Sequence, residues 1–135
     1  MEQTVVQKIL IADDHQLIRE LLSKIFTRSG YNVRTSEDGA DALRQFSCES
    51  PDLLITDLNM PQMDGYELCQ RVRAVSDIPI MLITACTNTS VKRKALSAGA
   101  NVFLTKPINF EEIKLLVYAL LNRIQMPPLF VSSPI

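Results

Sequence analysis

The chain has 135 residues, 47% of them apolar and 21% charged, with a formal net charge of -1 at pH 7. That length suits one compact domain. The near-neutral balance argues against a nucleic-acid surface built on bulk positive charge, since the only dense basic cluster is Lys92-Arg93-Lys94.

The opening residues, MEQTVVQK, lack a basic stretch followed by an apolar one, so no secretory signal is expected. KILIAD, residues 8–13, is a continuous apolar run, the pattern of a strand buried on both faces. From His15 to Arg28 apolar residues recur at Ile18, Leu21, Leu22 and Ile25, which is helical spacing, and Gly30 supplies the stop. YNVRTS is a second, more polar strand. Asp38 to Phe46 is a second helix with Ala40, Leu43 and Phe46 inward. Pro51 leads into DLLITD, the third strand, and Tyr66 to Val75 forms the third helix. Pro79 opens IMLIT, the fourth strand. Thr89 to Ala98 is a fourth helix closed by Gly99. NVFLT is the fifth strand. Asn109 caps a fifth helix running to about Gln125, which Pro127-Pro128 end. On that helix Ile113, Leu116, Val117, Leu120 and Ile124 suffice for a core face. Leu115 and Tyr118 are left over, as is Leu17 on the first helix.

Strands alternating with helices imply an α/β fold: a doubly wound parallel sheet of five strands with helices on both faces. No apolar run approaches the roughly 20 residues of a membrane span. Cys48, Cys69 and Cys86 form neither a disulfide framework nor a zinc pattern, and a reducing cytoplasm is the expected location.

In open sheets of this kind, sites form beyond the carboxyl ends of the strands. Those ends carry Asp13 and Asp14, Asp57, Thr84 and Lys106. Three acids held close repel one another unless a cation stands among them. Hard oxygen ligands suit Mg²⁺, and a carboxylate beside Mg²⁺ can take a phosphoryl group. Lys106 and Thr84 would meet the phosphoryl oxygens. Each residue also has a plainer role. Asp13-Asp14 would serve as a helix N-cap pair, Asp57 as a turn starter, Thr84 as strand filler and Lys106 as a solvated charge. His15, the only histidine, reads as an early-helix residue rather than a ligand or base.

Four segments, ILIADD, ITDLNMPQMDG, LITA and FLTKP, occur in that order. Together they resemble the response-regulator receiver domain of bacterial two-component signalling, of chemotaxis-regulator type, over about residues 8–123. The resemblance implies a flavodoxin-like (βα)5 fold with strand order 2-1-3-4-5. It implies a receiver over residues 1–125, with 126–135 a tail or the start of a linker. Asp57 would be the phosphoacceptor, Asp14 a direct Mg²⁺ ligand and Asp13 a ligand acting mainly through water. Asn59 would offer its backbone carbonyl to the metal. Thr84 would swing to the phosphoryl group, Lys106 would pair with it, and Phe103 would turn inward with Thr84; static core is the plain alternative for Phe103. Pro61 would stiffen the loop after Asp57 and Gly65 would permit a tight turn. Cys86 falls at a position that tunes dephosphorylation.

The resemblance further implies a binding module rather than a turnover enzyme, cytoplasmic, with no membrane or direct nucleic-acid contact of its own. The donor would be a sensor histidine kinase or histidine phosphotransfer protein. The fourth helix, fifth strand and fifth helix would be the switching surface, with a homodimer through it as a further expectation. The competing enzyme reading is a Mg²⁺-dependent phosphohydrolase with Asp57 as covalent nucleophile. Such enzymes want a second acid where this chain has Asn59.

Overall fold

The structure, a computed structural model, describes residues 5–85, 88–123 and 127–131. Cys86, Ile124 and Gln125 lie outside the described residues. Along the chain run β1 (Lys8–Ala12), α1 (Gln16–Arg28), β2 (Asn32–Ser36), α2 (Gly39–Cys48), β3 (Leu53–Asp57) and α3 (Gly65–Arg73). Then come β4 (Ile80–Thr84), α4 (Thr89–Ala98), β5 (Val102–Thr105), α5 (Phe110–Leu121) and β6 (Leu129–Val131).

All strand pairs are parallel, and the order is β2-β1-β3-β4-β5-β6. The predicted order 2-1-3-4-5 is therefore present, with a sixth strand added outside β5 in the stretch expected to be tail or linker. β3, β4 and β5 are buried at every position, which explains their unbroken apolar runs. β2 is mostly exposed, as its polar sequence predicts.

Strand residues alternate between two cores. Ile9, Ile11, Leu53, Ile55, Met81, Ile83, Val102 and Leu104 face Leu22 and Phe26 of α1 and Ile113, Val117, Leu120 and Leu121 of α5. Leu10, Leu54, Leu82 and Phe103 face the other layer: Ala42 and Phe46 of α2, Leu68 and Val72 of α3, and Ala95 and Ala98 of α4. On α2 it is Ala42, not Ala40, that is buried with Phe46, because residues four apart share a helix face. On α5 Leu116 is only partly buried and Leu121 joins the core, while Leu115 and Tyr118 are left exposed as predicted.

The amino edge of the sheet is clasped by Arg73. Its guanidinium donates to the Gly99 carbonyl (Nε 3.2 Å, Nη2 2.9 Å), the Ser76 and Ile78 carbonyls (3.1 and 2.7 Å) and Asn101 Oδ1 (3.0 Å). Gly99 closes α4 in the left-handed region at φ 94°.

At the opposite edge Gly65 opens α3. Its neighbour Asp64 caps the helix by accepting from Glu67 N. The positive φ of this loop belongs to Gln62, at 70°, where Met63 N closes a three-residue turn onto the Pro61 carbonyl at 2.8 Å. Gly65 is needed for closeness rather than for a special φ. Its N–H donates to Leu58 O at 2.7 Å, and a β-carbon there would stand 2.4 Å from Asp57 O and 2.9 Å from Leu58 Cα. Gly65→Ala is accordingly expected to cost about 1–3 kcal/mol as an overpacking change. Urea denaturation should show a lower midpoint at unchanged slope; an unshifted midpoint would mean that the loop relaxes without cost.

Candidate functional site

Three backbone hydrogen bonds continue the sheet ladders past the strand ends and so fix the residues there. Asp13 N donates to Ser36 O at 3.0 Å, Leu58 N to Ile83 O at 2.9 Å, and Lys106 N to Thr84 O at 2.8 Å. All strands point the same way, so Asp13, Asp57, Thr84 and Lys106 emerge at one edge. Asp13 and Asp57 are 2% and 3% exposed, which removes both carboxylates from bulk water. Asp14 is exposed at the rim.

The cap reading of Asp13-Asp14 does not hold. The residue preceding α1 is His15, whose side chain makes no capping bond, and the first turn of α1 has no acid. Instead Asp13 Oδ1 accepts from His15 N at 2.8 Å. α2, α3, α4 and α5 are capped by Asp38, Asp64, Asn88 and Asn109. The acids after β1 are thus left to the sheet edge.

There the side-chain ligand atoms of Asp13, Asp14, His15 and Asp57 all lie within 4.8 Å of one another. Lys106 Nζ stands 3.5 Å from Asp57 Oδ2 and 3.7 Å from Asp13 Oδ2. His15 Nδ1 is 3.2 Å from Asp13 Oδ1, 3.2 Å from Asp14 Oδ1 and 4.0 Å from Asp57 Oδ2. Asp57 Oδ1 accepts from Leu58 N at 2.8 Å. Burial, and then the negative charge of Asp13, hold the Asp57 carboxyl above its ordinary range, against the pull of Lys106 and the Leu58 N–H.

His15 is the residue whose place the sequence did not reveal. Read as an early-helix residue, it instead turns its ring onto all three carboxylates. Of the residues assigned from the sequence, Asp13, Asp14, Asp57 and Lys106 come together here, while Thr84 and Phe103 lie on the α4 side and Asn59 is exposed two residues beyond Asp57.

The donor set fits a small divalent cation. Oxygens on one Mg²⁺ are separated by at most about 4.2 Å, from its 2.0–2.1 Å bonds. A cluster spanning no more than 4.8 Å reaches that with a contraction of a few tenths of an ångström. The three carboxylates, Asp13, Asp14 and Asp57, are hard oxygen donors of the kind that suit Mg²⁺ or Mn²⁺.

On the other side of the site, Thr84 pairs with Thr105 across β4 and β5, and Leu82 with Phe103. Strand alternation puts Leu82, Thr84, Phe103 and Thr105 on the face toward α4. Thr84 and Phe103 are therefore diagonal neighbours on one face, buried at 0% and 1% exposure. Among the described residues Thr105 Oγ1 is a buried hydroxyl with no hydrogen-bond partner, a feature not legible from residue order alone. The Lys106-Pro107 peptide bond is cis.

The chain matches the response regulator receiver domain over residues 9–118. "Probable transcriptional regulator ycf27" of Cyanophora paradoxa is 38% identical over 127 residues, 94% of this chain and 53% of that protein. "Response regulator MprA" of Mycobacterium ulcerans (strain Agy99) is 37% identical over 120 residues, 88% of this chain and 52% of that protein. The chain spans about half the length of the curated relatives it matches. Among solved structures, the chemotaxis response regulator CheY4 of Vibrio cholerae superposes with a TM-score of 0.81 at 33% identity, covering 86% of this chain and 99% of that one. The receiver domain of Francisella response regulator 1452 does so with 0.82 at 28%, covering 88% and 99%.

The raised Asp57 carboxyl sets a pH dependence. Folded Asp57 keeps its proton to higher pH than the unfolded chain does. The native state then holds more protons, and stability falls as pH rises from the ordinary value of 3.8 through the raised one. Asp57→Asn lacks that loss. In metal-free buffer the variant is expected to gain on the wild type over this window and to remain the more stable at pH 7. Urea midpoints across a pH series measure it, and a variant that is less stable than wild type at pH 7 would contradict the electrostatic account.

Proposed function

The chain belongs to the response regulator receiver domain family, and from that membership we propose that Asp57 is its phosphoacceptor, served by Lys106, Thr84 and a Mg²⁺ held by Asp13, Asp14 and Asp57. The domain is a phosphoacceptor signalling module of two-component systems, and the phosphohydrolase alternative finds no support among the matched relatives. The observation that carries the residue assignment is Asp57 itself. It is a buried carboxylate at the carboxyl edge, 3.5 Å from an ammonium and inside a cluster of further acids.

A receiver implies a histidine kinase, and we take the donor here to be its phosphohistidine or that of a histidine phosphotransfer protein. One Asp57 oxygen attacks phosphorus, the P–N bond breaks, and the electron pair leaves on the donor imidazole. A bound Mg²⁺ would supply positive charge to the carboxylates and to one phosphoryl oxygen, with the Asn59 carbonyl as a further ligand. The Lys106 ammonium, already 3.5 Å from Asp57 Oδ2, is placed to pair with the transferred group. The Leu58 N–H holds Asp57 Oδ1 and so orients the carboxylate. Once a phosphoryl group adds about -1.5 to -2 charge and three acceptor oxygens, the Thr84 hydroxyl on the α4 side would be drawn over to donate to it. Drawing it over vacates space beside its diagonal neighbour Phe103, which turns inward.

Moving such a switch from 1:99 to 99:1 takes about 5.5 kcal/mol of differential binding. A few charge-assisted hydrogen bonds in a partly dry site reach that order. The surface that changes is built by α4, β5 and α5, where Leu96, Leu115 and Tyr118 stand exposed, and it is also where a homodimer would form. Among the described residues no helix is long and apolar enough to cross a membrane.

With acetyl phosphate and Mg²⁺, intact-mass measurement should show one phosphoryl group on the wild type and none on Asp57→Asn; equal labelling would sink the assignment. Lys106→Ala should slow labelling on the order of 10²-fold, the usual cost of losing one donor to a developing anion. Free Mg²⁺ at 100 times its Kd should raise wild-type stability by about 2.7 kcal/mol, and that of Asp57→Asn by less. No effect of a chelator on either protein would remove the metal from the site.

A further inference from the structure

β6 lies outside the stretch that matches the family, residues 9–118, yet it completes the sheet. It runs parallel to β5 with Leu129 beside Val102, Phe130 beside Phe103 and Val131 beside Leu104. Leu129 N donates to Asn101 O at 3.0 Å. Its side chains alternate like those of any strand. Leu129 and Val131 pack onto the α1/α5 core. Phe130 turns the other way and lies on Phe103, ring centroids 5.8 Å apart and tilted by 51°. Phe103 is buried beneath it, while Phe130 is 42% exposed. Lys92 of α4 places its Nζ 6.0 Å from the Phe130 ring centroid, so α4 meets the same contact.

This strand is weakly held. It has three residues, and the preceding Pro127-Pro128 have no N–H to offer the ladder. Few bonds and half-exposed side chains place it at the low end of local stability. Its one aromatic anchor rests on the very ring that the switch is expected to move.

We infer that the β5 edge is a strand-binding surface whose resident occupant is the chain's own segment, residues 127–131, and that a phosphoryl group on Asp57 loosens that occupant through Phe103. The inference rests on the phosphoacceptor and switch assignments proposed above. Its direction follows from that switch assignment, in which the Phe103 ring turns toward Thr84 and away from the β5 edge. An inward turn of Phe103 withdraws the ring from Phe130, and an aromatic pair of this kind is worth roughly a 2- to 12-fold change in an equilibrium. Coupling between sites is reciprocal, so docked β6 disfavours the phosphoryl-bound state by the same factor. While β6 is docked, β5 has no open edge, and the sheet ends in a three-residue strand that offers little to a partner.

The test uses the full chain and beryllofluoride with Mg²⁺ as a stable stand-in for the phosphoryl group. Binding is followed by ¹⁹F NMR, and backbone exchange at Leu129, Phe130 and Val131 by hydrogen–deuterium exchange. Loading the wild type should speed exchange at these amides by roughly 2- to 12-fold. Phe130→Ala should exchange faster there even when unloaded, and should bind beryllofluoride more tightly by a similar factor. Loaded wild type with unchanged or slower exchange overturns the coupling and leaves the phosphoacceptor assignment standing. Unchanged exchange in unloaded Phe130→Ala, or beryllofluoride affinity equal to wild type, overturns it as well. Failure of the wild type to take beryllofluoride overturns the phosphoacceptor assignment, and the coupling falls with it.

Discussion

Two carboxylates buried side by side cannot both stay ionised in isolation, and much of this molecule is arranged around that constraint. Asp13 and Asp57 are almost wholly withdrawn from water, with ligand atoms within 4.8 Å of each other. The nearest compensating charge is the Lys106 ammonium. Even so, burial first and the negative charge of Asp13 second hold the Asp57 carboxyl above its ordinary range. A cluster in that condition gains free energy when positive charge arrives, and it attracts a divalent ion more strongly than any of its acids would alone. The sheet bears the cost of this frustration because its interior is so apolar: β3, β4 and β5 are buried at every position.

Strand alternation divides the consequences of that edge into two directions. Asp57 and Lys106 look toward the acid cluster. Thr84, Phe103 and Thr105 look toward α4. A change of charge on one side can therefore reach the packing on the other only through the few residues at the end of β4 and β5. At that boundary the buried Thr105 hydroxyl has no hydrogen-bond partner.

Much of this was legible before any coordinates, for identifiable reasons. Parallel topology converts sequence position into a common edge, so Asp13, Asp57, Thr84 and Lys106 could be placed together from their positions after apolar runs alone. β4 begins and α4 ends at the expected residues because Pro79 and Gly99 punctuate them. Other features were not legible. The His15 ring position depends on which way α1 begins, and α1 has no side-chain cap to announce it. Gly65 reads as a turn residue in sequence, yet the constraint on it is the nearness of the Asp57 carbonyl, a contact between two elements. β6 is too short to show a period and follows two prolines, so composition marks it as tail. Its existence depends on an edge that only the assembled sheet provides.

Arg73 gives the sheet an asymmetry between its two ends. At the amino edge a single guanidinium binds the carbonyls of Ser76, Ile78 and Gly99 together with the Asn101 side chain, which in turn accepts from Ile80 N at 2.9 Å. The end of α3, the start of β4 and the α4–β5 corner thus form one fastened joint, and a β-carbon on Gly99 would press into Arg73 at 3.0 Å. Toward the Thr84 end the tie is of another kind: the Tyr66 hydroxyl of α3 donates to Val91 O of α4 at 3.0 Å. The carboxyl end of α4 is thus held by a charged, many-bonded clasp and its amino half by a neutral hydrogen bond, so the end beside the acid cluster is the cheaper of the two to shift.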